Sequence, residues 1–440
     1  MTIAECASDE PYSTQIGPFG KALMASEYTT SGVPVLRGVN ISQGRFLDGS
    51  FVFISDEAAD RLDKYESFPD DVLLVHKGTL GQVGIMPRVR KHDRYIMGNS
   101  MLRVRCNTAK LLPEFLYYWL SSGEGQHYLY SRMSQVGVPQ LQTPLRTLRE
   151  AVLSVPPIDV QQRIVAVLGA LDDKIELNRR MNRTLESIVR AVFKSWFVDF
   201  DPVRKKMEGK TGGELGLPPD LAALFPNSLA PSVAGPVPTE WPVLTVGDIA
   251  SLDKGVSYKG DFLQDHGLPM VNLGCFGPDG RFIVEKLKRY SGDFRIRHTV
   301  LPGDIVAANT DVTQKRLVLG RPAIVPQAKS AERLLFSHHV YALRFREDAD
   351  YLRQFVFFWM QTPLYRERAE GFATGTTVLG LPKEAILECP LLVPPRALVG
   401  AFNEVTDALR RLRMARDGEV ECLREIRDSL LPKLLAGTGL

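Results

Sequence analysis

Asp172-Asp173-Lys174 places two carboxylates and a lysine in the order a metal-dependent nuclease uses, and His338-His339 offers two imidazoles to a metal. Both fail on their surroundings. The acidic triplet falls on a long amphipathic helix, where a charge run reads as a solvated face. The histidine pair has no carboxylate at metal-ligand spacing and reads as structural. Gly209-Lys210-Thr211 has the ending of a phosphate-binding loop, but that loop needs a glycine where Arg204 stands. Adenine methyltransferases hold their target base with Asn/Asp-Pro-Pro-aromatic. Neither Val155-Pro156-Pro157-Ile158, Leu217-Pro218-Pro219-Asp220 nor Val393-Pro394-Pro395-Arg396 fits it. No glycine-rich cofactor fingerprint follows a strand-like run, so no catalytic constellation remains.

What remains is chemistry suited to nucleic acid. Met86 to Arg105 carries Arg88, Arg90, Lys91, Arg94, Arg103 and Arg105 against Asp93, and Thr313 to Arg333 carries Lys315, Arg316, Arg321, Lys329 and Arg333 against Glu332. Lysine and arginine on phosphates supply the sequence-independent part of DNA affinity. Two polar loops, Ser134 to Gln142 and Thr374 to Leu379, hold Gln135, Gln140, Gln142, Thr374, Thr376 and Thr377. Gln and Thr side chains can read base edges, and the glycines there allow close backbone approach. Lys77, Thr79 and Lys259 complete the candidate contacts. A solvated basic face and plain turns are the alternative readings.

The whole composition suits such a protein. Hydrophobic residues make up 44% and charged residues 24% of 440, which excludes disordered and collagen-like classes. Lys and Arg number 54 against 51 acids, a net charge of +3, so any DNA binding rests on local patches. Cys6, Cys106, Cys275, Cys389 and Cys422 are scattered and odd in number, as reduced thiols in a cytosolic protein would be. The acidic N-terminus lacks the apolar core of a signal peptide, and no run is long enough to span a membrane.

The chain is written twice. Gly32-Val-Pro-Val-Leu36 recurs as Gly267-Leu-Pro-Met-Val271, and Asp71-Val-Leu-Leu74 as Asp304-Ile-Val-Ala307. Tyr117-Tyr-Trp-Leu120 recurs as Phe357-Phe-Trp-Met360, and Val155-Pro-Pro157 as Val393-Pro-Pro395. The four offsets are 235, 233, 240 and 238 and stay in order. Each copy begins with short β-like runs broken by Gly and Pro, then an aromatic stretch that reads as a buried helix.

A long helix follows each Pro-Pro pair, since proline opens helices but cannot sit inside them. Ile164, Leu168, Leu171, Ile175, Asn178, Asn182, Leu185, Val189, Val192 and Trp196 alternate by four and three. So do Leu398, Phe402, Val405, Leu409, Leu412, Arg416, Glu419, Leu423, Ile426 and Leu430. This is a coiled-coil seam in each copy, on helices about 50 to 60 Å long. Packing of each helix on its own domain is the plainer alternative. Antiparallel pairing would set Ile164 against Leu430 and Asn178 against Arg416. Lys205 to Glu240, rich in Pro, Gly and Ala, reads as a connector with little regular structure.

Val155 to Asn182, with Gln161-Gln162-Arg163 at its start, resembles the central helix of the DNA-specificity subunits of type I restriction–modification systems. Lys194 to Val203, Ile16 to Gly20 and Gly32 to Gly38 resemble the same family. The second helix departs from it, with Arg396-Ala397-Leu398-Val399 where the Gln-Gln-Arg-Ile match would fall. The resemblance implies an α+β fold with two mixed α/β target-recognition domains in tandem, each followed by a long helix, the two pairing as an antiparallel coiled coil. The domains are then 1–155 and 241–393, the spacer helices 156–204 and 394–440, and the connector 205–240.

It further implies that each domain reads half of a bipartite sequence in double-stranded DNA and that the helices separate them. Two modification subunits dock on the helices, and a restriction (motor–nuclease) subunit joins for cleavage. S-adenosylmethionine, ATP and Mg belong to those partners, and this chain binds no cofactor and is not catalytic. A remnant of a fused methyltransferase–nuclease and a purely structural coiled-coil adaptor are the competing readings.

Overall fold

A central strand buried on both faces organises each copy of the repeat. The computed structural model describes all residues except 43–44, 135–136, 233–234, 278–279, 313–315, 328–331, 376–377 and 438–440. Contacts divide the chain into two units, Met1–Met181 with Ala415–Leu440, and Asn182–Met414.

In the first unit the two main sheets are built from β1 (Thr14–Ile16), β2 (Val33–Leu36), β3 (Val52–Ile54), β4 (Val72–Val75), β5 (Val83–Ile85), β6 (Ile96–Met97) and β7 (Met101–Val104). One sheet runs β1-β7-β4-β5, antiparallel throughout, and a second runs β3-β2-β6 with β2 and β6 parallel. Because side chains alternate across a strand, Val72 and Leu74 of β4 face one core with Phe115, Leu116 and Trp119. Leu73 and Val75 face another with Leu36, Met97 and Met101. An unbroken Val-Leu-Leu-Val run is what burial on both faces requires.

The second unit repeats this plan. Its two main sheets are built from β8 (Ala250–Lys254), β9 (Leu263–Val271), β10 (Lys288–Tyr290), β11 (Thr299–Val300), β12 (Ile305–Ala308), β13 (Pro322–Ile324), β14 (Leu334–Phe336) and β15 (Val340–Phe345). The sheets run β8-β15-β12-β13 and β10-β9-β14-β11, with β9 and β14 parallel. Strand for strand the orders match the first unit, with β11 added at one edge. Ile305 and Ala307 again face the helical core, and Val306 and Ala308 the other.

The helices that pack on these sheets and link the units include α1 (Pro113–Ser121), α2 (Gly123–Tyr130), α3 (Ile158–Phe197), α4 (Arg353–Trp359), α5 (Pro363–Gly371) and α6 (Arg396–Leu435). Gln161 anchors the start of α3. Fully buried, it accepts from the Leu112 amide (2.9 Å), an otherwise orphaned donor ahead of α1, and donates to the carbonyls of Lys110 (2.9 Å) and Pro156 (2.8 Å). Counted from the two Pro-Pro pairs, Gln161 to Ile164 correspond to Val399 to Phe402 rather than to Arg396 to Val399, and Val399, also buried, has no side-chain amide to offer.

The long helices pair antiparallel in each unit. In the first, Ile164 and Leu168 share a core with Leu431 and Leu434. Asn178 Nδ2 donates to Glu419 Oε2 (2.9 Å), and Lys174 pairs with the same carboxylate at 3.2 Å. The expected partner of Asn178 was Arg416, which lies three residues before Glu419 on α6. In the second unit Phe193 lies 5.6 Å from Phe402, ring to ring.

Asp172-Asp173-Lys174 is only partly a solvated run. Asp172 accepts from Arg427 (2.8 Å) and from the Tyr118 hydroxyl (2.9 Å), tying α3 to α6 and to α1. Burial beside that carboxylate drives the Tyr118 hydroxyl well above its ordinary range.

The seam drifts. Ile164, Leu168, Ile175, Val189 and Phe402 are buried, and Leu171, Leu185, Val405, Leu409 and Leu423 are half-buried. Leu412 (49% exposed) and Ile426 (41%) lie outside it, while Phe193, Val420, Leu431 and Leu434, mostly one place further along, are buried. A straight α-helix loses about 20° per heptad against a strict 3.5-residue repeat, which over these helices amounts to one residue.

The two units are drawn along other lines than the expected stretches. Each long helix contributes residues to both units, because antiparallel partners bring the end of α6 beside the start of α3. The connector is not structureless either. Asp201–Met207 and Pro219–Ala223 are helical, Leu229–Ala230 pairs with Val237–Pro238, and Phe225 (2% exposed) packs in the second unit's core beside Trp196 and Trp241. Among the described residues no helix is long and apolar enough to cross a membrane.

Candidate nucleic-acid interface

Each central strand is launched by a turn of one design. In Phe68-Pro69-Asp70-Asp71, Asp70 has φ 68° and the Asp71 carboxylate accepts from the Phe68 amide (2.8 Å). In Leu301-Pro302-Gly303-Asp304, Gly303 has φ 91° and Asp304 accepts from the Leu301 amide (3.0 Å). Proline presets the first corner and the left-handed residue the second, where glycine fits without strain.

At the other end of β4 three chain segments meet. The His76 amide donates to Ser100 O (2.9 Å), and its carbonyl accepts from the Leu141 amide (2.9 Å). The ring Nε2 lies 3.1 Å from Asn99 O. Burial holds this imidazole below its ordinary pKa, so it is neutral at neutral pH. Beyond it, Lys77 is exposed and pairs by its backbone with Gln140, and the Gly78 amide donates to Pro139 O (2.9 Å). Thr79 is exposed, Gln140 half-buried and Gln142 exposed. Phe19, 56% exposed, stands over His76 with ring centroids 6.3 Å apart. Lys77, Thr79 and Gln140 therefore gather on one rim. Gln135 lies outside the described residues.

The basic segment does not form a free cationic patch. Arg88 pairs with Asp70 (3.0 Å), Arg94 with Asp60 (2.7 Å) and Glu66 (3.1 Å), and Arg105 with Asp71 (2.9 Å) and Glu10 (2.7 Å). Arg103 is 2% exposed and faces Asp71 at 3.7 Å. Lys91 donates through its backbone to the Asp48 carboxylate (2.9 Å) and through Nζ to the Asp48 carbonyl (2.6 Å). Arg90 lies over the Tyr95 ring at 5.8 Å. The segment holds one acid, Asp93, but folding brings it acids from elsewhere in the chain.

The second unit builds the same junction from other side chains. The Asn309 amide donates to His339 O (3.0 Å), and its carbonyl accepts from the Leu381 amide (2.8 Å). Its side chain Nδ2 donates to His338 O (3.0 Å). The Thr310 hydroxyl and His339 Nδ1 are 2.9 Å apart, and the rings of His338 and His339 lie with centroids 3.8 Å apart and planes tilted by 40°. Tyr258, next to the exposed Lys259, lies 5.7 Å from His338.

Burial holds both imidazoles below their ordinary pKa, reinforced by the Lys254 charge at each and by Lys288 at His339. Thr374 is exposed and exchanges backbone hydrogen bonds with Gly380 (2.9 and 2.7 Å). Arg316 instead clamps the chain, donating to Glu370 O (2.9 Å), and Arg321, half-buried, donates to Leu317 O (3.0 Å). Lys315, Thr376 and Thr377 lie outside the described residues.

His76, Asn99, Asn309 and Thr310, which build these junctions, are not among the residues singled out in the sequence, where His338-His339 reads as structural. The signal was available, since Asn99-Ser100 and His338-His339 stand immediately before matching strands of the repeat. Among the described residues no group of three His, Cys, Asp or Glu side chains could hold a metal.

A family model described as "Type I restriction modification DNA specificity domain" matches residues 15–187. The chain is 25% identical over 382 residues to the type I restriction enzyme HindI specificity subunit of Haemophilus influenzae, covering 78% of this chain and 81% of that protein. It is 24% identical over 340 residues to the MjaIX specificity subunit of Methanocaldococcus jannaschii, covering 74% and 69%. The crystal structure of a type I restriction–modification S subunit from M. genitalium aligns with a TM-score of 0.47 at 15% identity, over 99% of this chain and 95% of that one.

Proposed function

We propose that the chain is a DNA-specificity subunit of the type I restriction–modification kind, the non-catalytic reader of a bipartite target in double-stranded DNA. The first unit reads one half-site and the second the other, each through the rim at the end of its central strand. The observation that carries this reading is the doubled junction: one backbone frame, built twice, bearing different polar side chains. Duplicated frames with divergent contacts suit a two-part, asymmetric sequence. α3 and α6 set the unread gap and dock the modification subunits, which supply S-adenosylmethionine, while ATP and Mg serve the restriction subunit.

The test is a gel-shift on duplex DNA with the modification subunits present, together with methylation-sensitive sequencing of the host genome. One bipartite methylated motif, lost on deletion of this chain, is the expected result. Binding without sequence selectivity would favour the structural-adaptor reading, and methyl transfer by the isolated chain would favour an enzyme.

A further inference from the structure

The two junctions match bond for bond, and the match separates frame from reader. The frame consists of backbone hydrogen bonds plus one inward side chain, His76 (2% exposed) in the first unit and Asn309 (3%) in the second. Each of these bonds the carbonyl of the residue two before the strand, Asn99 or His338. The side chains of Asn99 and Ser100, or of His338 and His339, take no part in those frame bonds. Neither do those of Lys77 and Thr310, which follow the inward residue. These positions can vary without disturbing the ladder, and they do vary, from Lys, Asn and Ser to Thr, His and His.

The second unit has made something definite of them. Thr310 ties down His339 Nδ1 at 2.9 Å, and the ring rests against His338 with centroids 3.8 Å apart and planes tilted by 40°, His338 itself lying against Tyr258. Among the described residues Nε2 of His339 has no hydrogen-bond partner, and it is not one of the buried unpartnered atoms, so a positioned imidazole presents one nitrogen to solvent. Orienting a ring this closely serves a directional contact better than it serves a core.

Resting on the function proposed above, we propose that Thr310, His338 and His339 are the specificity-determining residues of the second unit. His339 then hydrogen-bonds a base edge in the major groove of the second half-site, and Lys77, Asn99 and Ser100 are the corresponding positions of the first unit.

The experiment uses the complete complex with its modification subunits and reads the methylated motif. The double variant His338→Asn, His339→Ser installs the first unit's residues at the same places and so keeps the frame. An unchanged first half-site with at least one base of the second relaxed or altered is expected, with discrimination there falling about tenfold, the worth of one good base contact. Both half-sites unchanged within about twofold overturns the inference, while a wild-type complex showing no bipartite motif overturns the function itself. Thr310→Val, which frees the ring and spares the ladder, covers a failure of the double variant to fold. It should relax the same base, and an unchanged motif in it counts equally against the inference.

Discussion

Asp71 Oδ1 lies 2.9 Å from Arg105 Nε across neighbouring strands, with the carboxylate fully buried. The second unit repeats the relationship in Asp304 and Arg344 at 3.2 Å. Both acids also close the turn that launches the central strand. Asp71 faces Arg103 as well, a guanidinium that is itself buried.

Asp71→Asn should destabilise the first unit by about 3 to 5 kcal/mol, because removing one partner leaves buried guanidinium charge uncompensated. Asp304→Asn should cost less. Arg344 keeps Asp253 (3.0 Å), Arg353 keeps Asp350, and Asp304 is already 16% exposed. Urea unfolding of the two variants decides; equal losses would contradict the asymmetry.

The arginine pairings reverse a natural expectation about salt. Replacing Arg94 or Arg105 by Ala should lower thermal stability and leave the dependence of DNA binding on salt nearly unchanged, since their charges are spent inside the fold. Lys77→Ala, which removes an exposed cation from the rim, should reduce the slope of log K against log salt by up to about one. Titrations between 50 and 200 mM salt, the range over which such contacts tell, measure it. A larger slope change for Arg105 than for Lys77 would reverse the assignment.

How far these contacts were legible in the sequence depends on their range. The duplication, the central strands and the Pro-Pro helix starts are local or collinear patterns, so Val72–Val75 and Ile305–Ala308 could be read directly. The partners of the basic segment could not. Glu10, Asp48 and Asp60 reach Arg105, Lys91 and Arg94 only through the fold, and a window count of charge misses them. Leu412 and Ile426 were misplaced for another reason: a strict heptad assumes supercoiling, while the face of a straight helix rotates. Phe225 was hidden because a Pro/Gly-rich stretch says nothing of one aromatic docking on a distant core.

That drift has a measurable consequence. Ile164→Ala, at a fully buried site, should cost about 2 to 5 kcal/mol, whereas Leu412→Ala, 49% exposed, should stay within about 0.5 kcal/mol. Thermal melts of the two, side by side, test the seam observed here against the strict repeat, which makes them equal.

Acid should weaken the fold before carboxylates titrate. Burial is the first cause of the lowered values at His76, His338 and His339. An imidazole held below its unfolded value of about 6.5 takes up its proton later than the unfolded chain does. The unfolded state then binds more protons, so stability is full above that pH and declines as pH falls below it towards the depressed values. Melting temperature should drop between pH 7.5 and 5.5, and the His338→Asn, His339→Ser variant should show a shallower drop. An equal drop would place the acid sensitivity elsewhere.

The length of the paired helices provides the last prediction. One heptad of α-helix is about 10 Å long, close to three base pairs at about 3.4 Å each. Removing one heptad from α3 and one from α6, at facing positions in the polar middle near Asn178 and Glu419, preserves the pairing on either side. If the helices set the unread gap, the methylated motif should lose about three base pairs of spacer and keep both half-sites. Deleting a heptad from α3 alone mismatches the seam and should abolish methylation. A changed half-site in the paired deletion would mean that the helices take part in reading bases, contrary to the division between junction and spacer.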